Sequence, residues 1–117
     1  MLTPLPELIA SARAGLRSLD AATAVTELQL TGGQLIDVRE AAEREALPVP
    51  GSVNIPRGIL EMKVTELVPR ADQPVYLHCA TGGRASMAGE QLQRMGYTSV
   101  TVITCPVEVI RECQEAS

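Results

Sequence analysis

Pro74-Val75-Tyr76-Leu77-His78-Cys79-Ala80-Thr81-Gly82-Gly83-Arg84-Ala85-Ser86-Met87-Ala88-Gly89-Glu90-Gln91-Leu92-Gln93-Arg94-Met95 is the stretch on which the reading of this chain turns. Val75 to His78 is a short apolar run of strand type, and Ala80-Thr81-Gly82-Gly83 is turn chemistry. From there Ala85, Ala88, Leu92 and Met95 recur at three- and four-residue steps, which predicts a helix. Cys79 therefore falls between the end of a strand and the amides of a tight turn and a helix N-terminus.

That position favours a thiolate. The first amides of a helix have no intrahelical acceptor and carry the positive end of the dipole. Gly82 and Gly83 can take positive φ, so their N–H groups can turn inward and form an anion nest. Arg84 adds a permanent cation at the end of the loop. The three effects act together on Cys79, and the thiolate is the nucleophilic form of cysteine. Cysteine is also a common small core residue, but Cys79 ends the apolar run and does not lie within it. It is the catalytic candidate, with Ala80, Thr81, Gly82, Gly83 and Arg84 as the groups that would hold a substrate. Arg57 could add positive potential at the mouth of the site or be a solvated surface residue.

Working outward, Gln34 to Val38 reads as a buried strand in which Asp37 needs a partner, and Arg39 is the nearest candidate. Ser52 to Ile55 is a brief strand, and Ser99 to Ile103 is a Val-rich one. Helices are predicted from Asp20 to about Leu30, over Glu40 to Ala46, in short pieces through 57–68, and over Pro106 to Glu115. Leu5, Leu8, Ile9, Ala12 and Leu16 form an apolar stripe at helical spacing that Thr3 and Pro4 could open. Strands alternating with helices argue for a parallel α/β sheet covered on both faces.

Length and composition bound the rest. A chain of 117 residues fits one domain. Aromatic residues are only 2%, with neither Phe nor Trp, so the core is expected to be aliphatic. The net charge of −4 argues against a nucleic-acid partner. No apolar run is long enough to span a membrane, and the N-terminus has no signal-peptide pattern. Cys79, Cys105 and Cys113 with a single histidine indicate neither a disulfide framework nor a metal site, so a reducing cytoplasm fits best.

Four pieces, taken together and in order, resemble a single-domain rhodanese of the sulfurtransferase family. They are Leu35-Ile36-Asp37-Val38-Arg39, Val49 to Gly58, Cys79 to Ala85, and Met95-Gly96-Tyr97 with the strand to Ile103. The resemblance covers roughly residues 18 to 113. It implies a small five-stranded parallel sheet with helices on both faces, and leaves residues 1–17 as a helical extension packed on a single domain of residues 1–117. Only four residues separate Cys79 from Arg84. The loop is thus similar to the six-residue cradle of sulfurtransferases, and shorter than the phosphate-cupping loop of the tyrosine phosphatases. The implied reaction moves a sulfane sulfur from a small donor anion such as thiosulfate to a thiol or cyanide, through a persulfide on Cys79, with no metal or organic cofactor. The resemblance leaves the protein partner unknown.

The chain departs from the family pattern at Ile103-Thr104-Cys105-Pro106, where a Gly-Gly pair is usual, and at Ala46 to Gly51, which lacks the usual histidine. Cys105 is either a resolving thiol for Cys79 or a buried replacement residue. The alternative functions are accordingly a non-catalytic binding module and a redox sensor using Cys79 and Cys105. His78 is expected on the opposite face of its strand from its neighbours, as core or support.

Overall fold

The computed structural model describes all residues from 1 to 117, and its elements follow in chain order. They are α1 (Leu5–Ala14), β1 (Arg17–Leu19), α2 (Ala21–Thr31), β2 (Gln34–Asp37), α3 (Ala41–Ala46), β3 (Ser52–Asn54), a 3-10 turn (Arg57–Ile59), α4 (Leu60–Leu67), β4 (Val75–His78), α5 (Gly83–Met95), β5 (Val100–Ile103) and α6 (Val107–Ala116). The five strands form one sheet in the order β1-β5-β4-β2-β3, and every pairing is parallel. The fold is the five-stranded α/β architecture expected of the rhodanese resemblance.

Period-two alternation sorts the strands onto two cores. Ile36, Val38, Val75, Leu77, Cys79, Val100 and Val102 join α4 and α5 residues on one face. Leu35, Tyr76 and Ile103 join residues of α2 and α6 on the other. The cores are aliphatic except that both tyrosines are buried in them, Tyr97 donating to the Val68 carbonyl and Tyr76 meeting the Thr31 hydroxyl at 3.2 Å.

Two features differ from the sequence reading. β1 pairs Arg17, Ser18 and Leu19 with Thr101, Val102 and Ile103, although nothing in Arg-Ser-Leu marks a strand. A three-residue edge strand has too few side chains to show a period, and its neighbour β5 defines it. Residue 17, the last of the expected extension, is therefore the first of this strand. In α1, Leu5 and Leu8 are 64% and 44% exposed, while Ala12 is buried. Pro4, without a capping side chain, precedes the helix where Thr3 was the expected start.

The order of strands fixes where a site can lie. From β2 the chain moves outward to β3, then returns to the other side of β2 as β4 and continues outward to β5. In such sheets the crevice beyond the carboxyl ends at this reversal is the natural binding position. The carboxyl end of β4 delivers Cys79 there, beside the end of β2 with Asp37.

Candidate active site

Cys79 follows β4 and is 1% exposed. Its Sγ accepts the Gly82 N–H at 3.1 Å and the Ala85 N–H at 3.4 Å. Gly82 precedes α5 at φ +99° and offers no capping side chain, so Ala85 is the third residue of a helix whose cap acceptor is the cysteine sulfur. Of the two glycines expected to turn inward, only Gly82 adopts positive φ, and Gly83 is not a donor to Sγ. Gly83 opens α5 and must be helical. The amides of Ala80, Thr81, Gly83 and Arg84 meet no acceptor within the protein, leaving four further donors on the same loop. Ala80 is half-buried and Thr81 exposed. The Ala80 carbonyl receives the Val107 N–H at 2.9 Å, tying the loop to the start of α6.

Arg84 is not a free cation. Its guanidinium forms a two-pronged pair with Glu43 of α3, Nη1 to Oε1 at 2.6 Å and Nη2 to Oε2 at 2.9 Å. The Arg84 hydrogen bonds hold the Glu43 carboxyl down at about 2, and Arg84 itself is shifted upward. Arg57 is likewise paired, with Glu61 at 2.7 Å. Both arginines line one cleft of about 560 Å³ together with Gly58, Glu61, Met62 and Met87. Glu43 had no signal in the sequence as a site residue. In the structure its side chain also closes the N-terminus of α3, where it accepts the Glu40 N–H.

Beneath the site, Asp37 and Arg39 are paired, as expected, through Nη2 to Oδ2 at 2.7 Å and Nε to Oδ1 at 3.0 Å. Arg39 also reaches the carbonyls of Leu47 at 2.8 Å and Glu43 at 3.3 Å, so a buried ion pair shapes the segment that presents Glu43 to Arg84.

His78 points away from the sulfur, is fully buried, and neither ring nitrogen has a hydrogen-bond partner. Desolvation, opposed by Asp37, brings it from 6.5 down to about 4, so the ring is neutral near pH 7. A histidine neutral when folded and charged when unfolded makes stability fall with acid. Its contribution is complete above pH 6.5 and is lost progressively toward pH 4. Unfolding free energy is expected to drop by roughly 3 kcal/mol across that window. Chemical denaturation at a series of pH values checks it, and His78→Leu should remove most of the slope.

Cys105 stands on the other side of the sheet. Its Sγ accepts the Ala21 N–H at 3.2 Å at the start of α2, and it packs against the α2–α6 core with Cys113. Cys79 belongs to the α4–α5 core.

A parallel α/β sheet whose middle strand delivers a cysteine sulfur to the N-terminus of a helix, where two amides donate to it, defines a cysteine-loop class of α/β protein. The family model described as "Rhodanese-like domain" matches residues 20–108, and the chain belongs to that family. Among curated proteins it is 40% identical over 67 residues to the uncharacterized protein YqhL of Bacillus subtilis, covering 57% of this chain and 52% of that one. It is 34% identical over 65 residues to the thiosulfate sulfurtransferase PspE of Escherichia coli, covering 56% of this chain and 62% of that one. Each match thus spans less than two thirds of the relative. Among solved structures, the polysulfide-sulfur transferase homodimer of Wolinella succinogenes superposes with a TM-score of 0.78 at 26% identity, over 91% of this chain and 80% of that one. No helix is long and apolar enough to cross a membrane.

Proposed function

We propose that this protein is a sulfurtransferase that carries a sulfane sulfur as a persulfide on Cys79. The observation that carries the reading is the Cys79 sulfur at the N-terminus of α5, accepting two loop N–H bonds with four more amides unclaimed beside it. In the first step the Cys79 thiolate attacks the outer sulfur of thiosulfate or another sulfane donor. The S–S bond of the donor breaks, sulfite leaves with the electron pair, and the negative charge moves to the outer sulfur of Cys79–S–S⁻. In the second step a thiolate or cyanide attacks that outer sulfur, and Cys79 leaves as the thiolate. Both steps develop anionic sulfur, and fixed amides at a helix N-terminus stabilise it without reorganising.

Ala80, Thr81, Gly82, Gly83 and Arg84 form the cradle in this reading. Arg84 pins the loop to α3 through Glu43, and Arg57 stands across the cleft where donor and acceptor enter. The chemistry asks for neither metal nor organic cofactor. Three cysteines without a disulfide suit a reducing, cytoplasmic setting.

The test is direct. Purified protein is incubated with thiosulfate, freed of excess reagent and analysed by intact and peptide mass spectrometry. One added sulfur atom is expected on the peptide containing Cys79, removed again by cyanide. Protein that gains no sulfur, or gains it on Cys105 or Cys113, would overturn the assignment.

A further inference from the structure

Helix α1 precedes the family-matched region, yet one of its side chains reaches the loop. Arg13 Nη2 donates to the Gly82 carbonyl at 3.3 Å, and Arg13 Nε donates to the Ser86 hydroxyl at 3.0 Å. That hydroxyl in turn donates to the same Gly82 carbonyl at 2.7 Å. The Ser86 N–H adds a third bond to this oxygen at 3.0 Å.

The seat for α1 is built into α5. A Cβ on Gly83 would lie 3.1 Å from Ile9, and one on Gly89 would lie 2.9 Å from Leu16. Ile9 and Arg13, four apart on α1, together with Leu16 just beyond its end, therefore face Gly83, Ser86 and Gly89. Gln93 extends the contact by donating to the Gly15 carbonyl at 3.1 Å.

We propose that Arg13 is a positioning residue for the sulfur-carrying loop, an inference that rests on the sulfurtransferase reading above. The Gly82 C=O and the Gly83 N–H belong to one planar trans peptide and point in opposite directions. The Ser86 N–H, in the first-turn bond of α5, already directs this oxygen along the helix, and the Arg13 cation reinforces that direction, with the Gly83 N–H, one of the unclaimed loop donors, pointing the opposite way. A charge-assisted bond to the carbonyl also polarises that peptide and strengthens its N–H as a donor to anionic sulfur. The extension thus supplies the loop with a fixed cation, whereas Arg84 is already neutralised by Glu43.

Arg13→Gln keeps a polar side chain and removes the charge. Its kcat for thiosulfate-dependent sulfur transfer is expected to fall about tenfold, the scale of one hydrogen bond to a charged group. Amide exchange at Gly82 and Ala85, followed by NMR, should quicken while exchange across β4 and β5 stays unchanged. Arg13→Lys should recover part of both. Unaltered kcat and loop exchange in Arg13→Gln would overturn the proposal. So would faster exchange across the sheet in parallel with the loop, because that marks a merely structural loss. If the wild-type protein transfers no sulfur, the sulfurtransferase reading fails by itself. The exchange measurement needs no substrate and still decides whether Arg13 braces the loop.

Discussion

Cys79→Ser is expected to reduce thiosulfate-dependent sulfur transfer by about three orders of magnitude or more, the scale seen when a covalent nucleophile is removed. The substitution is close to isosteric, and an oxygen in that place can still accept the Gly82 and Ala85 N–H groups, so the cap of α5 survives. What disappears is the atom that can hold a second sulfur. Thermal unfolding of the variant should stay near that of the wild type, which separates a lost nucleophile from a lost fold. Thiocyanate production with cyanide as acceptor measures the effect, and retained turnover in the folded variant would sink the persulfide mechanism. A folded wild-type protein without turnover would favour the non-catalytic binding module.

Asp37→Ala is expected to cost about 3–5 kcal/mol of folding free energy, the range for breaking one half of a buried ion pair. The Arg39 side chain is 3% exposed and that of Asp37 fully buried, so removing the carboxylate strands a guanidinium away from water. Against a total stability of roughly 5–15 kcal/mol, the loss brings the chain close to unfolding. The double change Asp37→Leu with Arg39→Met should regain much of it, since an apolar pair of similar volume often matches a buried ion pair. Urea titration of the three variants checks this, and a loss below about 1 kcal/mol in Asp37→Ala would place the pair among solvent-screened ones. Activity in the double variant should still be reduced, because Arg39 also holds the Leu47 and Glu43 carbonyls and through them the partner of Arg84.

The strongest signals in this sequence were local. β2, β4 and β5 are short apolar runs, and α2 and α5 carry their own caps and stops, Asp20 and Gly32, Gly82 and Gly96. The Asp37–Arg39 pair was legible because the two residues lie two apart on one strand end, and a buried carboxylate must find a cation. β1 was not legible, since three residues at an edge take their strand character from β5.

The environment of Cys79 divides along the same line. Local signals were enough to place a cysteine at the end of a strand before a glycine turn and a helix, because strand, turn and helix signals act over a few residues. Packing between distant segments settled instead that Glu43 claims Arg84 and that Arg13 braces Gly82 across 69 residues of chain. Those contacts join positions whose separation in sequence carries no periodicity. They arise when parallel crossovers bring α1, α3 and α5 together at the carboxyl end of β4.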